Sequence, residues 1–162
     1  MAKKSIVIIP GLWEDLSSFS MIVEQLKRQG HHTAVVAHPS RGCEPPTKTM
    51  IDDVAAVHAV VSNFVNQGQE VVLVMHSAGG CIGSEGIKGL LAADRAKRDE
   101  SGGVTNLVFI TAGFLSLGEE TKDMPFFEYR VRSSLYHQSN GTYSYNISTP
   151  TDFGITGRLH VV

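Results

Sequence analysis

Apolar positions along the chain follow clear periods up to about residue 118 and none afterwards. Ser5-Ile-Val-Ile-Ile9 is a continuous β-branched run closed by Pro10-Gly11. Such a run predicts a strand buried on both faces. Phe19, Ile22, Val23 and Leu26 fall at i, i+3, i+4 and i+7, an amphipathic helix that stops at Gly30. Thr33 to Ala37 is a second short apolar strand, ended by His38-Pro39. Thr49 with Asp52 resembles a capping box, and Met50, Val54, Val57, Val61, Phe64 and Val65 behind it predict a second amphipathic helix stopping near Gly68. Val71 to Met75 is a third strand, Ala78 to about Arg95 a glycine-rich helix, and Val104 to Ile110 a fourth strand entered through Gly102-Gly103. Arg95 to Glu100 reads as a mixed-charge, solvated helix end. Four strands separated by three helices predict an α/β fold: a parallel sheet with right-handed crossovers and helices on both faces.

Beyond residue 118 the pattern dissolves. Pro125-Phe126-Phe127 interrupts a polar stretch, and Ser133 to Val162 is rich in Ser, Thr, Asn, Tyr and Gly. Thr142 to Ile147 and Gly157 to Val162 are the segments there with strand character. A length of 162 residues fits one domain, with a core over residues 4–118 and a divergent, irregular tail over 119–162. The composition, 42% apolar and 19% charged, is that of a globular protein with a real core.

Charge removes some functions. A formal net charge of −2 gives no electrostatic case for nucleic acid or an anionic membrane. No apolar stretch is long enough to span a bilayer, and the run Ile6 to Ile9 is too short for a signal peptide. These features lead us to expect a cytoplasmic protein. Two cysteines, Cys43 and Cys81, are too few for a disulfide framework, and Cys81 reads as a small buried apolar residue.

The chemistry concentrates in Glu70 to Gly80. The apolar run stops abruptly at His76-Ser77, two glycines follow, and a helix begins. A strand, a sharp turn with serine at its tip and a helix behind it make a nucleophile elbow, whose neighbours must be small because strand end and helix start pass close together. Gly79 holds the second glycine position of G-x-S-x-G, and Met75 stands at the first. The same pentapeptide also suits a serine that caps a helix in an ordinary βαβ unit.

Three stretches together carry a family resemblance. Ile8-Ile-Pro-Gly-Leu-Trp13 sits where α/β-hydrolases have the oxyanion loop after an early strand, with Pro10 in place of histidine and Gly11 retained. Val72 to Gly80 sits at the elbow, and Val108-Phe-Ile-Thr-Ala-Gly-Phe-Leu115 at the strand after the elbow helix. Residues 4 to about 118 thus resemble the N-terminal half of a small esterase-like α/β-hydrolase, the kind that includes plant methylesterases and hydroxynitrile lyases. The resemblance implies an α/β-hydrolase fold shortened at its C-terminal side, Ser77 as nucleophile, and the backbone N–H groups of Leu12 and Ala78 as oxyanion donors. It places Gly11, Trp13, His76 and Phe114 beside the substrate. His76 is the variable elbow residue, and strand alternation turns it away from the serine side chain. No metal or organic cofactor is implied.

The C-terminus departs from that family. A complete triad runs in chain order Ser, Asp or Glu, His, and an eight-stranded sheet of βαβ units of about 30 residues needs roughly 200 residues. By order alone Asp152 and His160 are the acid and base, with Asp123 and His137 as alternates; the competing reading makes them surface residues of an irregular tail. None of His31, His32, His38 and His58 fits the family order or a metal-site spacing. Two functions follow. One is a serine hydrolase acting on a small ester, thioester or lactone. The other is a shortened, catalytically impaired homologue acting as a binding module, whose uncovered sheet edge near Val104 to Ile110 invites a homodimer.

Overall fold

The protein is described by a computed structural model that covers residues 4–115 and the short segments 135–137 and 143–145. Four parallel strands form one sheet: β1 (Ser5–Ile9), β2 (His32–Val35), β3 (Glu70–His76) and β4 (Gly103–Ile110), in the order β2-β1-β3-β4. Ile8 lies beside Val35 on one side and Val74 on the other, so β1 and β3 are the central strands. A 3-10 turn (Leu16–Phe19) leads into α1 (Ser20–Arg28), and α2 spans Met50–Val65. The chain steps one way from β1 to β2 and the other way from β2 to β3. With right-handed crossovers, that reversal puts α1 on one face of the sheet and α2 with α3 on the other. The expected fold class is therefore the one observed.

The core follows from strand alternation. Val7, Ile9, Val71, Leu73 and Met75 are fully buried, and they share one hydrophobic cluster with Val57, Val61, Val65 and Ile82 from α2 and α3. Burying each of these side chains contributes about 1.5–3 kcal/mol. All five residues of β1 are buried, as its β-branched run predicts. The α2 start is the expected capping box, with Thr49 and Asp52 bonding each other's backbone.

Two expectations are corrected. The continuous helix from Ala78 to about Arg95 is two pieces, α3 (Gly79–Gly86) and α4 (Ala92–Ala96). Gly89 lies between them at φ +75°, and Leu91 bridges to Val104 in β4, so the chain leaves helical geometry to meet the sheet. Arg95 is not solvated: it is 6% exposed, its guanidinium donates to the carbonyls of Val65, Ser101 and Gly102, and it pairs with Glu100 at 3.0 Å. A planar fork of five donors suits a site where several orphan carbonyls converge.

Among the described residues β4 is the outer strand, and Leu107, Val108 and Ile110 there keep 41%, 40% and 45% exposure. The chain divides into two units, Met1–Phe114 and Leu115–Val162. In the second, β5 (Leu135–His137) pairs antiparallel with β6 (Tyr143–Tyr145). The expected strand at Thr142 to Ile147 contains β6; the one at Gly157 to Val162 lies outside the described residues. Among the described residues no helix is long and apolar enough to cross a membrane.

One polar contact inside this core yields a test. Asp53 has no exposure, and its carboxyl oxygens accept from Ser40 N at 2.9 Å and Ser40 Oγ at 2.6 Å. Asp53→Ala leaves the Ser40 donors unmatched. It is expected to cost about 1–3 kcal/mol of unfolding free energy, read from urea denaturation. A cost below about 0.5 kcal/mol would show that the β2–α2 connection finds other partners.

Candidate active site

The site is built where β3 ends. Ser77 follows the strand at φ +52°, the left-handed region, and α3 begins two residues later. A residue with a Cβ pays about 1–2 kcal/mol to stand there. The surroundings hold it. Ser77 N donates to Ile110 O at 3.3 Å, and Ser77 O accepts from Gly80 N at 3.1 Å and Gly113 N at 3.0 Å, so the turn is laced to the end of β4. Ser77 itself is exposed at the tip. A Cβ at Gly79 would lie 2.5 Å from the carbonyl oxygens of both Ile9 and Pro10. The first turn of α3 thus rests directly on the end of β1. Met75, in place of the first elbow glycine, points into the core: its Sδ would be 2.8 Å from a Cβ at Gly83. Its side chain therefore leaves the turn itself clear.

The loop after β1 closes over the serine. A Cβ at Gly11 would lie 2.8 Å from Ser77 Cβ and 3.3 Å from Ser77 Oγ. Leu12, Trp13 and Phe114 are 39%, 52% and 60% exposed around this place, Trp13 at φ +67° and Phe114 edge-on to Phe109 with ring centres 6.0 Å apart. Among the described residues, neither the Leu12 nor the Ala78 amide is taken up in a loop or turn hydrogen bond. Sequence reasoning missed Glu14. Its Oε2 accepts from the Gly11 amide, and its Oε1 lies 2.7 Å from His76 Nδ1, an ion-pair distance without hydrogen-bond alignment. His76 thus faces the Glu14 carboxylate. His38 was also passed over. It is 7% exposed, with Nε2 2.9 Å from Pro10 O. Nothing in the linear pattern signals that either side chain turns back onto the loop.

Gly11, Glu14, His76 and Ser77 are brought together. The side chains of Asp152, His160, Asp123 and His137 lie outside the described residues. The other four described histidines are engaged elsewhere: His31 with the Lys4 backbone, His32 with Gln69, His38 with Pro10 and His58 with Gly86. Cys81 on α3 is half-buried, not fully buried as expected, and burial pushes its thiol pKa up, away from the reactive thiolate. Among the described residues no group of three His, Cys, Asp or Glu side chains is placed to hold a metal ion. A small cavity of about 140 Å³ lies beneath the loop, bordered by Pro10, Glu14, His38 and Arg41. A wider depression of about 490 Å³ between α2 and α3 includes neither Ser77 nor Gly11.

Residues 6–154 match the profile of the alpha/beta hydrolase family. The chain is 34% identical over 119 residues to alpha/beta hydrolase nvfD of Aspergillus novofumigatus, covering 74% of this chain and 47% of that protein. It is 26% identical over 125 residues to probable hydrolase R7 of a Phoma species, covering 76% of this chain and 48% of that protein. The chain therefore spans about half the length of the curated relatives it matches. Among solved structures, tomato methylketone synthase I complexed with 2-tridecanone matches at a TM-score of 0.56 and 14% identity, over 75% of this chain and 44% of that one, a likeness of fold alone. With the profile match over residues 6–154, and a parallel sheet and a left-handed serine between β3 and α3 that agree with it, the chain belongs to the alpha/beta hydrolase family.

Proposed function

We propose that the chain is a serine hydrolase acting on a small ester, thioester or lactone through Ser77 and a backbone oxyanion site. The observation that carries this reading is Ser77 at φ +52° with the Gly11 loop against its side chain. A strained, exposed serine between a strand and a helix is costly to keep unless the geometry is used. Ser77 attacks the substrate carbonyl, the amides of Leu12 and Ala78 receive the oxyanion, and Trp13 and Phe114 border the acyl group. Asp152 and His160 are the acid and base by chain order.

A second reading, a catalytically impaired binding module that dimerises through β4, is favoured by one observation. None of the five histidines whose side chains are described hydrogen-bonds the Ser77 hydroxyl.

The experiment is labelling with a fluorophosphonate, followed by digestion and mass spectrometry of the adduct. One phosphonyl group per chain on the peptide containing Ser77 is the expected result. A folded, monodisperse protein that takes no label at Ser77 would leave the binding-module reading in its place.

A further inference from the structure

The Pro10–Gly11 peptide is held at both ends. Its carbonyl oxygen, Pro10 O, lies 2.9 Å from His38 Nε2, and its N–H donates to Glu14 Oε2. A carbonyl can only accept, so Nε2 of His38 carries the proton. His38 Nδ1 is buried and has no hydrogen-bond partner among the described residues. Among the described residues, the one hydrogen bond of the His38 side chain is the one to this loop. Glu14 Oε1 in turn lies 2.7 Å from Nδ1 of His76, the residue before Ser77.

The peptide group is planar, so fixing its oxygen and its hydrogen fixes the rotation of the whole plane. This matters because the next residue is glycine, which by itself leaves the backbone free to turn. Gly11 must lack a side chain to admit Ser77, as the 2.8 Å approach to Ser77 Cβ shows. The loop therefore cannot gain rigidity from a Cβ and must gain it from outside. The Leu12 N–H belongs to the next peptide plane, joined to this one through Gly11. A fixed Pro10–Gly11 plane is the base from which that amide is presented, and it removes one of the rotations that would misdirect it. Oxyanion donors accelerate a reaction only when they are aimed before the charge develops.

We infer that His38 and Glu14 are positioning residues, which clamp the Pro10–Gly11 peptide from opposite ends and so aim the Leu12 amide at the developing oxyanion. The inference rests on the serine-hydrolase reading. Neither side chain touches the reacting atoms; both act through the loop backbone.

The variants separate acceptor and donor capacity from mere packing. Glu14→Ala removes the acceptor on Gly11 N–H, and Glu14→Gln keeps an oxygen there. His38→Leu removes the donor to Pro10 O, and His38→Gln keeps an N–H at similar reach. The readouts are the second-order rate of Ser77 phosphonylation, and kcat and KM on a small aryl ester, with folding followed by circular dichroism. Glu14→Ala and His38→Leu are expected to slow phosphonylation by about 10–100-fold, less than outright loss of a donor. They should lower kcat with KM held within about two-fold, whereas Glu14→Gln and His38→Gln recover most of the rate. Wild-type rates in Glu14→Ala, or a Glu14→Gln variant as slow as Glu14→Ala, would overturn the inference. If His38→Leu fails to fold, the comparison of His38→Gln with wild type and the Glu14 pair carry the test.

Amide hydrogen exchange at Gly11, whose N–H donates to Glu14, tests the clamp without catalysis. Exchange should accelerate at least about ten-fold in Glu14→Ala and not in Glu14→Gln, because a lost hydrogen bond opens the amide to water. Unchanged exchange overturns the clamp. A wild type that takes no label while the exchange result holds would sink the hydrolase reading, and with it the catalytic part of this inference, but not the clamp.

Discussion

Ser77→Ala is expected to remove ester hydrolysis by at least about 10³-fold while leaving the protein folded, because loss of a nucleophile leaves only binding and the oxyanion site. The serine is exposed and its hydroxyl is not part of the core, so stability should move by no more than about 0.5 kcal/mol. Alanine keeps the Cβ and therefore keeps the cost of φ +52°. Ser77→Gly separates the two effects. It also removes the hydroxyl, but it relieves a left-handed strain of about 1–2 kcal/mol against a loss of about 0.5–1 kcal/mol from the freer unfolded chain. Ser77→Gly should thus be inactive and at least as stable as wild type in urea unfolding. Retained turnover in Ser77→Ala would remove Ser77 from the chemistry. A Ser77→Gly variant destabilised by more than about 1 kcal/mol would show that the turn stores no strain.

Gly79→Ala is expected to destabilise the protein by about 3 kcal/mol or more. The added methyl would stand 2.5 Å from two backbone carbonyl oxygens, Ile9 O and Pro10 O. Neither is the flexible end of a side chain. To make room, either α3 must lift or the end of β1 must shift, and both are packed into the core. Since that contact also seats the Pro10 carbonyl, whatever protein remains folded should be phosphonylated more slowly at Ser77. Gly89→Ala is the control. Its φ is +75° but nothing lies within 4 Å of its Cβ position, so only the conformational cost of about 1–2 kcal/mol applies. Both are measured by urea midpoints at constant slope. Equal costs at the two positions would show that backbone conformation, and not the approach of α3 to β1, decides the effect.

The difference between what was legible and what was not lies in the range of the interactions. The strands and α2 show in the sequence because their signals are local: β-branched runs, apolar positions three and four apart, a cap at Thr49. The break at Gly89 was hidden, because Gly83 and Gly86 on the same stretch lie inside α3. What ends that helix is the bridge from Leu91 to Val104 across the sheet. Arg95 looked solvated because its neighbours Arg98, Asp99 and Glu100 are exposed, and only the convergence of the Val65, Ser101 and Gly102 carbonyls draws it inward.

At the site the division is the same. The amino-acid order alone determined that a serine stands between an apolar strand and a glycine-led helix, with a Pro-Gly loop two helix–strand units earlier, since both are contiguous motifs. Only the tertiary structure decided that the loop touches the serine, that Met75 leaves the turn free, and that Glu14 and His38 grip one peptide from opposite ends. Those contacts join Pro10 to His38, Gly11 to Ser77 and Met75 to Gly83. Pro10 meets His38 because strands 1 and 2 lie side by side, Gly11 meets Ser77 because strands 1 and 3 do, and Met75 meets Gly83 because α3 packs back on strand 3. Such adjacency is set by crossover topology and burial, not by neighbouring residues in the chain.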